Sequence, residues 1–538
     1  MKNIFSILKY LRKLVLIPVI LLILVISSCE DIIELQPYNN VSETIAFSTP
    51  SLIALSVTGM YEAAQIGYYR NPVDPAYRGY PFGAAFVEQG DCRGEDVVNM
   101  QAFYQYTYEG TYNLTTANNR VYWEDTYRLI NRANIIIEGV TQAVADGIIS
   151  DAQGNIYLGE ARFFRAISHL ELLFHFASPY KHTAGASHMG VPYREKAYTT
   201  NAAIEEGMSQ HRNTVADCYS KILADLDFAE ANLPVKSARS GNEKITRATK
   251  GAAIAYKTRV YQHMWDWAKV ISEAGKFFAF SGNDAYTIEP DPNTPFANNY
   301  SNRESVFSIE NSATNYPSVN GALAQMYKRR LLVCMSPIIW RNAGWLTDDK
   351  RRNSASGQLI LNVSGRIHTN KYKDDVTSTD AAPVIRYAEV LLNLAEAYCR
   401  NAPPAGAPDA NALNYLNMVR NRSLADMATQ GYGAADFDDN VELLGAILLE
   451  RRIEFAMEGR RWPDIHRLQF CPYYPINGIP QKLANTSVPA SAFTLGSPYT
   501  GPYGVAAIPY SDYRFLWPIP QTELDINPTL VEEQNPGW

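Results

Sequence analysis

Hydrophobic residues recur every three or four positions along most of the chain, with polar residues between them. This spacing is typical of helices that bury one face. It predicts helices over residues 49–64, 118–144, 157–177, 214–232, 246–278, 383–399, 409–422 and 440–459. Short loops between such helices favour antiparallel pairs, and stacked pairs form a tetratricopeptide-like array. The sequence therefore predicts a mainly α fold on a tetratricopeptide-like scaffold of helix pairs.

Two stretches, 280–380 and 471–538, interrupt the helical pattern, and both are rich in Pro and Gly. Long loops in a compact protein are often where ligands bind. Beyond residue 47, the pattern predicts an N-terminal helical part at 48–279 with an aromatic loop at 68–112, a loop-rich insertion at 280–380, C-terminal helix pairs at 381–470 and a loop-rich C-terminal segment at 471–538.

The N-terminus has the pattern of an export signal. An uncharged apolar run at 14–26 follows four basic residues, Lys2, Lys9, Arg12 and Lys13. A helix of about 13 residues spans about 20 Å, short of the ~30 Å hydrocarbon core, so a permanent transmembrane anchor is the weaker alternative. Ile26-Ser27-Ser28-Cys29 resembles a bacterial lipobox, which implies a lipid on Cys29. We therefore predict a signal peptide at 1–28 and a lipidated tether at 29–47. Glu30 and Asp31 resemble the acidic tag of lipoproteins displayed on the outer membrane.

Composition narrows the choice of partners. The net charge of −7 argues against nucleic acid or anionic lipid, since both need a basic surface. The other five cysteines are widely spaced, without CxxC, and we expect buried small hydrophobes: Cys92, Cys218, Cys334, Cys399 and Cys471. The sequence has no P-loop, GxGxxG or HExxH, so we expect no cofactor and no metal; a histidine cluster at 169–188 is the weak alternative.

The densest charge pattern runs from 450 to 462. Glu450, Glu454 and Glu458 fall four apart on one helix face, where like charges repel unless arginines neutralise them. In an enzyme, two of these glutamates would act as general acid and base. We favour a structural ion network instead, because arginine lowers an acid's pKa, and we expect the partners to be Arg451, Arg452, Arg460 and Arg461.

The aromatic loop at 68–112 lacks a helical stripe and mixes Tyr and Phe with Asp, Glu, Arg and Asn. Tyrosine is frequent in the whole chain, with 35 residues, and it combines an apolar face with a polar tip. Such a loop can stack on a sugar ring or a peptide side chain. The alternative is a packing layer over the helices. We favour a ligand surface, and expect Tyr104→Ala to lower ligand affinity without affecting folding.

Five ordered segments resemble the SusD/RagB family of outer-membrane nutrient-binding lipoproteins: Trp123–Asn134, Gly159–Ala166, Arg386–Ala397, Glu450–Trp462, and Leu516–Pro520 with Gln534–Gly537. One departure is Pro463, where the family usually continues the helix. The resemblance implies a helical scaffold with an irregular ligand-binding face, and a SusC-like TonB-dependent transporter as partner. It also implies binding of glycans or, in the RagB-like branch, of peptides, without catalysis.

The resemblance further implies where the ligand binds. The polar loop of the family falls on Asp91, Arg93, Glu95 and Asp96, and its stacking platform falls on Phe103, Tyr104 and Tyr106. The insertion adds Tyr316, Trp340 and Trp345. We therefore predict a surface lipoprotein that binds a glycan and delivers it to the transporter. The alternatives are a peptide-binding import subunit, a surface glycosidase using carboxylates near Glu454 or Asp91, and a purely structural surface protein.

Overall fold

The computed structural model describes residues 43–67 and 78–538. The signal peptide, Cys29 and most of the tether lie outside the described residues, as do the first aromatic residues of the loop at 68–77. The structure consists of two compact units, with the boundary between Ser56 and Val57. Up to that point the described residues form a short helix, Glu43–Ala46, and the first turns of helix α1; the rest of this section concerns residues 57–538.

Helices dominate this part of the chain. Those of seven or more residues are α1 Pro50–Ile66, α2 Ala84–Cys92, α3 Ala117–Ala145, α4 Asp151–Phe176, α5 Asn201–Gly207, α6 Val215–Asn232, α7 Lys250–Met264, α8 Trp267–Gly275, α9 Tyr387–Asn401, α10 Ala410–Arg420, α11 Asn440–Glu454 and α12 Arg461–Arg467. The shorter ones are Gln105–Glu109, Glu243–Thr246, Thr294–Ala297, Pro337–Trp340, Met427–Gln430, Gln521–Ile526 and Thr529–Glu532.

Most of the long helices begin at a side chain that caps them. The hydroxyl of Thr214 accepts a hydrogen bond from the backbone of Asp217 at the start of α6, and Thr249 does the same for α7. Asp409 and Asp439 cap α10 and α11. Such caps satisfy backbone donors that have no partner within the helix. These caps explain why each of these four helices begins directly after a Thr or Asp residue.

The helices stack in chain order. Helix α3 packs on α4, α4 on α6, α6 on α7, α7 on α8 and α9, and α9 on α10 and α11. Each apolar stripe is thereby covered by its neighbours, and the predicted mainly α, tetratricopeptide-like scaffold is confirmed.

Two of the predicted helices show the largest differences from the structure. The single helix expected at 246–278 is divided into α7 and α8, because Trp265 adopts a left-handed backbone with φ of 63°. The helix expected from Pro383 begins only at Tyr387, since Ala382–Arg386 is a strand. Proline is tolerated there because that strand pairs with one neighbour, which leaves its other edge unpaired.

The described residues contain three small antiparallel sheets, two of which pair the insertion with segments outside it. Strand β1 (Val97–Asn99) pairs with β3 (Val333–Met335), and β2 (Ser305–Ile309) pairs with β6 (Ala382–Arg386). Strands β4 (Ile360–Val363) and β5 (Arg366–Thr369) form a hairpin. Its two turn residues, Ser364 and Gly365, both have positive φ, as a type I′ turn requires. The β1–β3 pair fixes the predicted polar loop beside the insertion.

The five cysteines that the structure describes are free and buried, as predicted. They are Cys92, Cys218, Cys334, Cys399 and Cys471. Burial raises the pKa of the Cys218 thiol to about 12, which leaves it an unreactive apolar group at neutral pH.

Candidate functional site

The structure buries most of the residues that the sequence proposes as ligand contacts. The buried side chains are Asp91, Arg93, Glu95, Asp96, Tyr104, Trp340 and Trp345. Three reach solvent: Phe103 is half-buried, and Tyr106 and Tyr316 are each 55% exposed. The expectation that all ten line an open surface therefore needs correction, and the contacts of the buried seven give the reason.

Glu95 and Asp96 face protein rather than solvent because two distant arginines cover them. Arg452 donates to Glu95 at 3.0 Å and also contacts Asp96, and Arg461 donates to Glu95 through Nε at 3.0 Å. Burial acts to raise the pKa of Glu95, but the two arginine charges outweigh it and lower that pKa to about 2. The acidic end of the loop is thus an anchor onto α11 and α12.

The first half of the same loop is anchored as well. Asp91 accepts a hydrogen bond from the Gly459 amide at 2.8 Å and another from the Tyr327 hydroxyl, and burial raises its pKa to about 7. The Arg93 guanidinium lies 3.4 Å from the ring centre of Trp462 and donates to the Phe515 carbonyl at 2.5 Å. Both side chains join chain segments that are far apart in sequence.

Trp340 and Trp345 enclose a buried arginine. The Arg352 guanidinium lies 4.3 Å from the centre of each ring, and the Trp340 indole donates to the Phe493 carbonyl at 3.0 Å. Trp340 is 6% exposed and Trp345 is 3% exposed, so neither ring is accessible to a ligand, and we leave both out of the binding surface proposed below.

Two of the exposed or half-buried candidates, Phe103 and Tyr106, belong to a small aromatic and basic surface. The guanidinium groups of Arg78 and Arg330 lie 4.6 and 5.1 Å from the ring centre of Phe103. Exposed Arg330 is held by the side-chain oxygen of Asn320 at 2.5 Å, and Tyr106 projects from the adjacent short helix. We call these five residues the Phe103 surface. An aromatic ring beside guanidinium and amide groups can hold a polar ring by stacking and hydrogen bonds.

No motif singles out Arg78, Asn320 or Arg330, because their placement depends on contacts between segments that are distant in the chain. Tyr316 lies on the loop 312–321, which is hydrogen-bonded to the start of α2 through the Ala84 amide and the Gly321 carbonyl at 3.1 Å. The loop therefore belongs to the part of the insertion that meets the aromatic segment.

Tyr104 lies beneath this surface. Its ring packs edge-on against Phe103 with centres 5.2 Å apart, and no part of the side chain is exposed. Buried Glu88 lies nearby; burial raises its pKa well above the ordinary value, with the Asp91 charge adding to the rise and the Tyr104 hydroxyl opposing it. This layer supports the surface and does not reach a ligand.

Tyr104→Ala and Tyr106→Ala form a matched pair with opposite expected effects. Removing the buried Tyr104 ring leaves a cavity and should lower the free energy of unfolding by about 3 kcal/mol. Removing the exposed Tyr106 ring should change it by less than about 0.5 kcal/mol. Thermal and urea unfolding of both variants checks this. Equal stability of the two variants would contradict the burial of Tyr104. Because that side chain is buried, the expectation that Tyr104→Ala lowers ligand affinity without affecting folding is corrected.

Glu450, Glu454 and Glu458 belong to a buried ion network, as favoured, but with other partners. The expectation that all three lie on one helix face was wrong, because α11 ends at Glu454 and Met457 has a left-handed backbone with φ of 64°. Glu450 pairs with Arg351 at 2.5 Å, and Glu458 pairs with Lys371 at 2.6 Å. Glu454 accepts hydrogen bonds from three arginines, Arg351 at 3.1 Å, Arg386 at 3.0 Å and Arg422 at 2.6 Å. Burial acts to raise the pKa of Glu454, but these charges outweigh it and lower that pKa strongly.

The expected partners of these glutamates were wrong. Arg451 pairs with Asp464 at 3.2 Å, Arg460 with Glu171 at 3.5 Å, and Arg452 and Arg461 with Glu95. Arg451 and Arg452 directly follow Glu450 on α11 and therefore point to other faces of the helix. Arg460 and Arg461 lie beyond the end of α11, at the start of α12.

Three buried carboxylates make the fold sensitive to acid: Glu95, Glu389 and Glu396. Burial acts to raise each pKa, but paired arginines lower it to about 2, against an ordinary value of 4.5. Because these groups take up protons more readily when unfolded, their stabilisation is complete above pH 4.5 and is lost as pH falls toward 2. We expect the melting temperature to fall steadily over that window in a pH series. A constant value between pH 4.5 and about 3 would contradict these pairings.

Metal binding gains no geometric support: among residues 43–67 and 78–538, no group of three or more His, Cys, Asp or Glu side chains could hold an ion. Two histidines of the 169–188 cluster have aromatic neighbours instead. His169 stacks on Tyr193 with ring centres 3.8 Å apart, and His175 stacks on Trp517 at 4.2 Å.

Two family models match the chain. The model described as the SusD family matches residues 340–538, and the model described as "Starch-binding associating with outer membrane" matches residues 33–262. The two ranges do not overlap. Together they include the helices from α1 to α6 and the ion-paired segment of α11 and α12.

Individual proteins agree with these matches. The chain is 25% identical to the SusD-like protein P2 of Formosa agariphila, over 96% of this chain and 98% of that protein. A SusD superfamily protein from Bacteroides fragilis has a similar structure, with a TM-score of 0.71, 27% identity, and coverage of 90% of this chain and 99% of that one. A SusD-like carbohydrate binding protein from Bacteroides vulgatus shares the fold, with a TM-score of 0.67, 17% identity, and coverage of 90% and 98%.

Proposed function

The chain belongs to the SusD family, and from this premise we propose that it is a lipid-anchored surface protein that binds a glycan and delivers it to a SusC-like TonB-dependent transporter of the outer membrane. It captures its ligand without chemical change. The observation that carries the binding proposal is the Phe103 surface, where an aromatic ring lies beside an exposed guanidinium and an amide.

The Phe103 surface suits capture with modest affinity. An aromatic contact contributes about 1 kcal/mol, and hydrogen bonds from Arg330 and Asn320 to ring hydroxyls add specificity. A few such contacts sum to about 3–4 kcal/mol, which corresponds to a dissociation constant of about 1 mM or somewhat weaker. Such affinity holds a ligand near the membrane and still permits its transfer. The descriptions of the matched family and of the B. vulgatus protein favour a glycan over a peptide.

The proposal of capture without catalysis is supported by the state of the candidate acids. Glycoside hydrolysis needs two carboxyl groups that flank an accessible bond. Glu454 is buried among three arginines, and Asp91 is buried between Tyr327 and the Gly459 amide. Each of the two residues is only 3% exposed, so neither carboxyl is accessible to a polysaccharide.

The location is proposed from the N-terminal sequence and the family. A lipid on Cys29 would hold the protein at the outer membrane beside the transporter. Among residues 43–67 and 78–538, no helix combines the length and apolar composition that a membrane crossing requires. Cys29→Ala should abolish labelling by a radioactive fatty acid and leave glycan binding unchanged. Continued labelling of Cys29→Ala would contradict the assigned lipid site.

The binding proposal is tested by affinity electrophoresis of the detergent-solubilised full-length protein against neutral glycans, acidic glycans and peptides. We expect retardation by at least one glycan, with no release of reducing ends on prolonged incubation. Retardation by peptides alone would replace the glycan by a peptide, and release of reducing ends would replace capture by hydrolysis. Co-purification of a transporter from native membranes tests the proposed partner, and its absence after mild crosslinking would count against delivery.

A further inference from the structure

A cavity lies among the helix pairs, and its lining shares no residue with the Phe103 surface. It measures about 210 Å³ and is bordered by the turn between α7 and α8, the end of α9 and the start of α11. Its lining includes Trp265, Trp267, Arg400, Val441, Leu444 and Tyr473. Pockets for drug-sized ligands measure about 300–1,000 Å³, so this cavity suits a single small ring.

The two tryptophans are presented by an unusual turn. Trp265 has a left-handed backbone, with φ of 63°, and Asp266 caps α8 directly after it. The Trp265 and Trp267 rings lie 6.0 Å apart at an angle of 37°, and both are half-buried. A non-glycine residue in this conformation is strained, and such strain concentrates at binding and active sites.

The cavity also contains an incompletely satisfied guanidinium. The Arg400 side chain is only 6% exposed, and its Nε donates to Glu396 at 2.7 Å. In the part of the chain that the structure describes, its two terminal nitrogens meet one hydrogen-bond acceptor, the Cys471 sulfur, at 3.5 Å from each. The guanidinium also lies 5.5 and 5.0 Å from the ring centres of Trp265 and Trp267, which places it beside the rings that would stack on a ligand. A thiol sulfur is a weak acceptor, and a buried guanidinium normally has stronger partners. Arg400 therefore has donors available to a ligand.

Among the lining residues, Arg400 carries the one charged side chain, which favours an anionic ligand. Glu396, the carboxylate beside Arg400, already accepts two hydrogen bonds from Arg467 at 2.8 Å. Exposed Lys181 adds a second cation, with its Nζ 6.0 Å from the Trp265 ring centre. The other polar groups of the lining are engaged within the protein: the Asn440 amide holds the 403–407 loop, and the Cys399 thiol donates to the Asn440 carbonyl.

We propose that this cavity is a second binding site and that it takes an acidic sugar, a single ring that carries a carboxylate or a sulfate. The indole rings and Tyr473 pack against the carbon–hydrogen face of the ring. The terminal nitrogens of Arg400 donate to two oxygens of the anionic group, which is the geometry that a guanidinium favours. Lys181 attracts the anion at the mouth. The site does not depend on the Phe103 surface and could be occupied at the same time.

Isothermal titration of the detergent-solubilised full-length protein tests the proposal with four probes: sodium glucuronate, glucose 6-sulfate, glucose and sodium acetate. Glucuronate or the sulfate should bind with a dissociation constant of order 1 mM, at least about tenfold tighter than glucose and acetate. Glucose removes the charge and acetate removes the ring, while the two acidic probes separate a carboxylate ligand from a sulfate ligand. Equal binding of glucose, or no acidic sugar bound at tens of millimolar, would overturn the proposal.

Substitutions locate the binding. Trp267→Ala should weaken the acidic probe at least tenfold and Lys181→Ala about threefold, while Tyr513→Ala, which removes an exposed ring packed on Trp538, should have no effect. If Trp267→Ala lowers the melting temperature, Tyr473→Ala replaces it, because that side chain is 44% exposed. Binding that survives both substitutions, or that is lost only in Phe103→Ala, would place the acidic sugar elsewhere and refute the site while leaving the proposed function intact.

Discussion

Glu454→Gln is expected to lower the free energy of unfolding by about 3–5 kcal/mol, the cost of removing one charge from a buried ion network. Its carboxylate accepts from Arg351, Arg386 and Arg422, which come from three separate segments of the chain. The substitution keeps the shape of the side chain but leaves these guanidinium groups close together with less negative charge between them. Thermal and urea unfolding followed by circular dichroism measures the loss.

A matched control is Glu205→Gln, because Glu205 is exposed on α5. That change should alter stability by less than about 0.5 kcal/mol. If Glu454→Gln unfolds like the wild type, the network does not have the assigned role. If the wild type also cleaves a polysaccharide and the substitution abolishes cleavage at unchanged stability, Glu454 is catalytic after all.

Trp462→Ala should be similarly costly, at about 3–5 kcal/mol, for a different reason. The indole is fully buried, donates to the Phe174 carbonyl at 2.8 Å and lies against the Arg93 guanidinium. Its removal leaves a cavity, an unpaired carbonyl and an uncovered arginine. Unfolding measurements should show an intermediate loss for Trp462→Phe, which keeps an aromatic ring but not the donor. Equal stability of Trp462→Ala and the wild type would contradict this packing.

The sequence predicted helices well where an apolar stripe followed a capping residue. Helices α3, α6 and α10 lie within a few residues of their predicted limits, because periodicity and caps are local properties. The errors arose where tertiary contacts decided the backbone. Pro383 was expected to open a helix, but strand pairing with Ser308 fixes an extended conformation there. The left-handed Trp265 divides a helix whose periodicity is continuous in the sequence.

The candidate site was harder to predict because the composition of a segment does not show which of its side chains are buried in the fold. Asp91, Arg93 and Glu95 stand in a polar, glycine-containing loop, which is typical of an exposed recognition segment. Arg452 and Arg461, the partners of Glu95, are more than 300 residues away in the chain. The resemblance located the region, and only the packing separates exposed Tyr106 from buried Tyr104.

The most direct test of the Phe103 surface is the affinity of the double variant Phe103→Ala/Tyr106→Ala for the glycan that the wild type binds most tightly. Isothermal titration should show a loss of at least about tenfold, as expected when two aromatic contacts of about 1 kcal/mol each are removed. The melting temperature should stay close to that of the wild type, and Tyr513→Ala should bind normally. Unchanged affinity in a folded double variant would contradict the assignment of glycan binding to this surface.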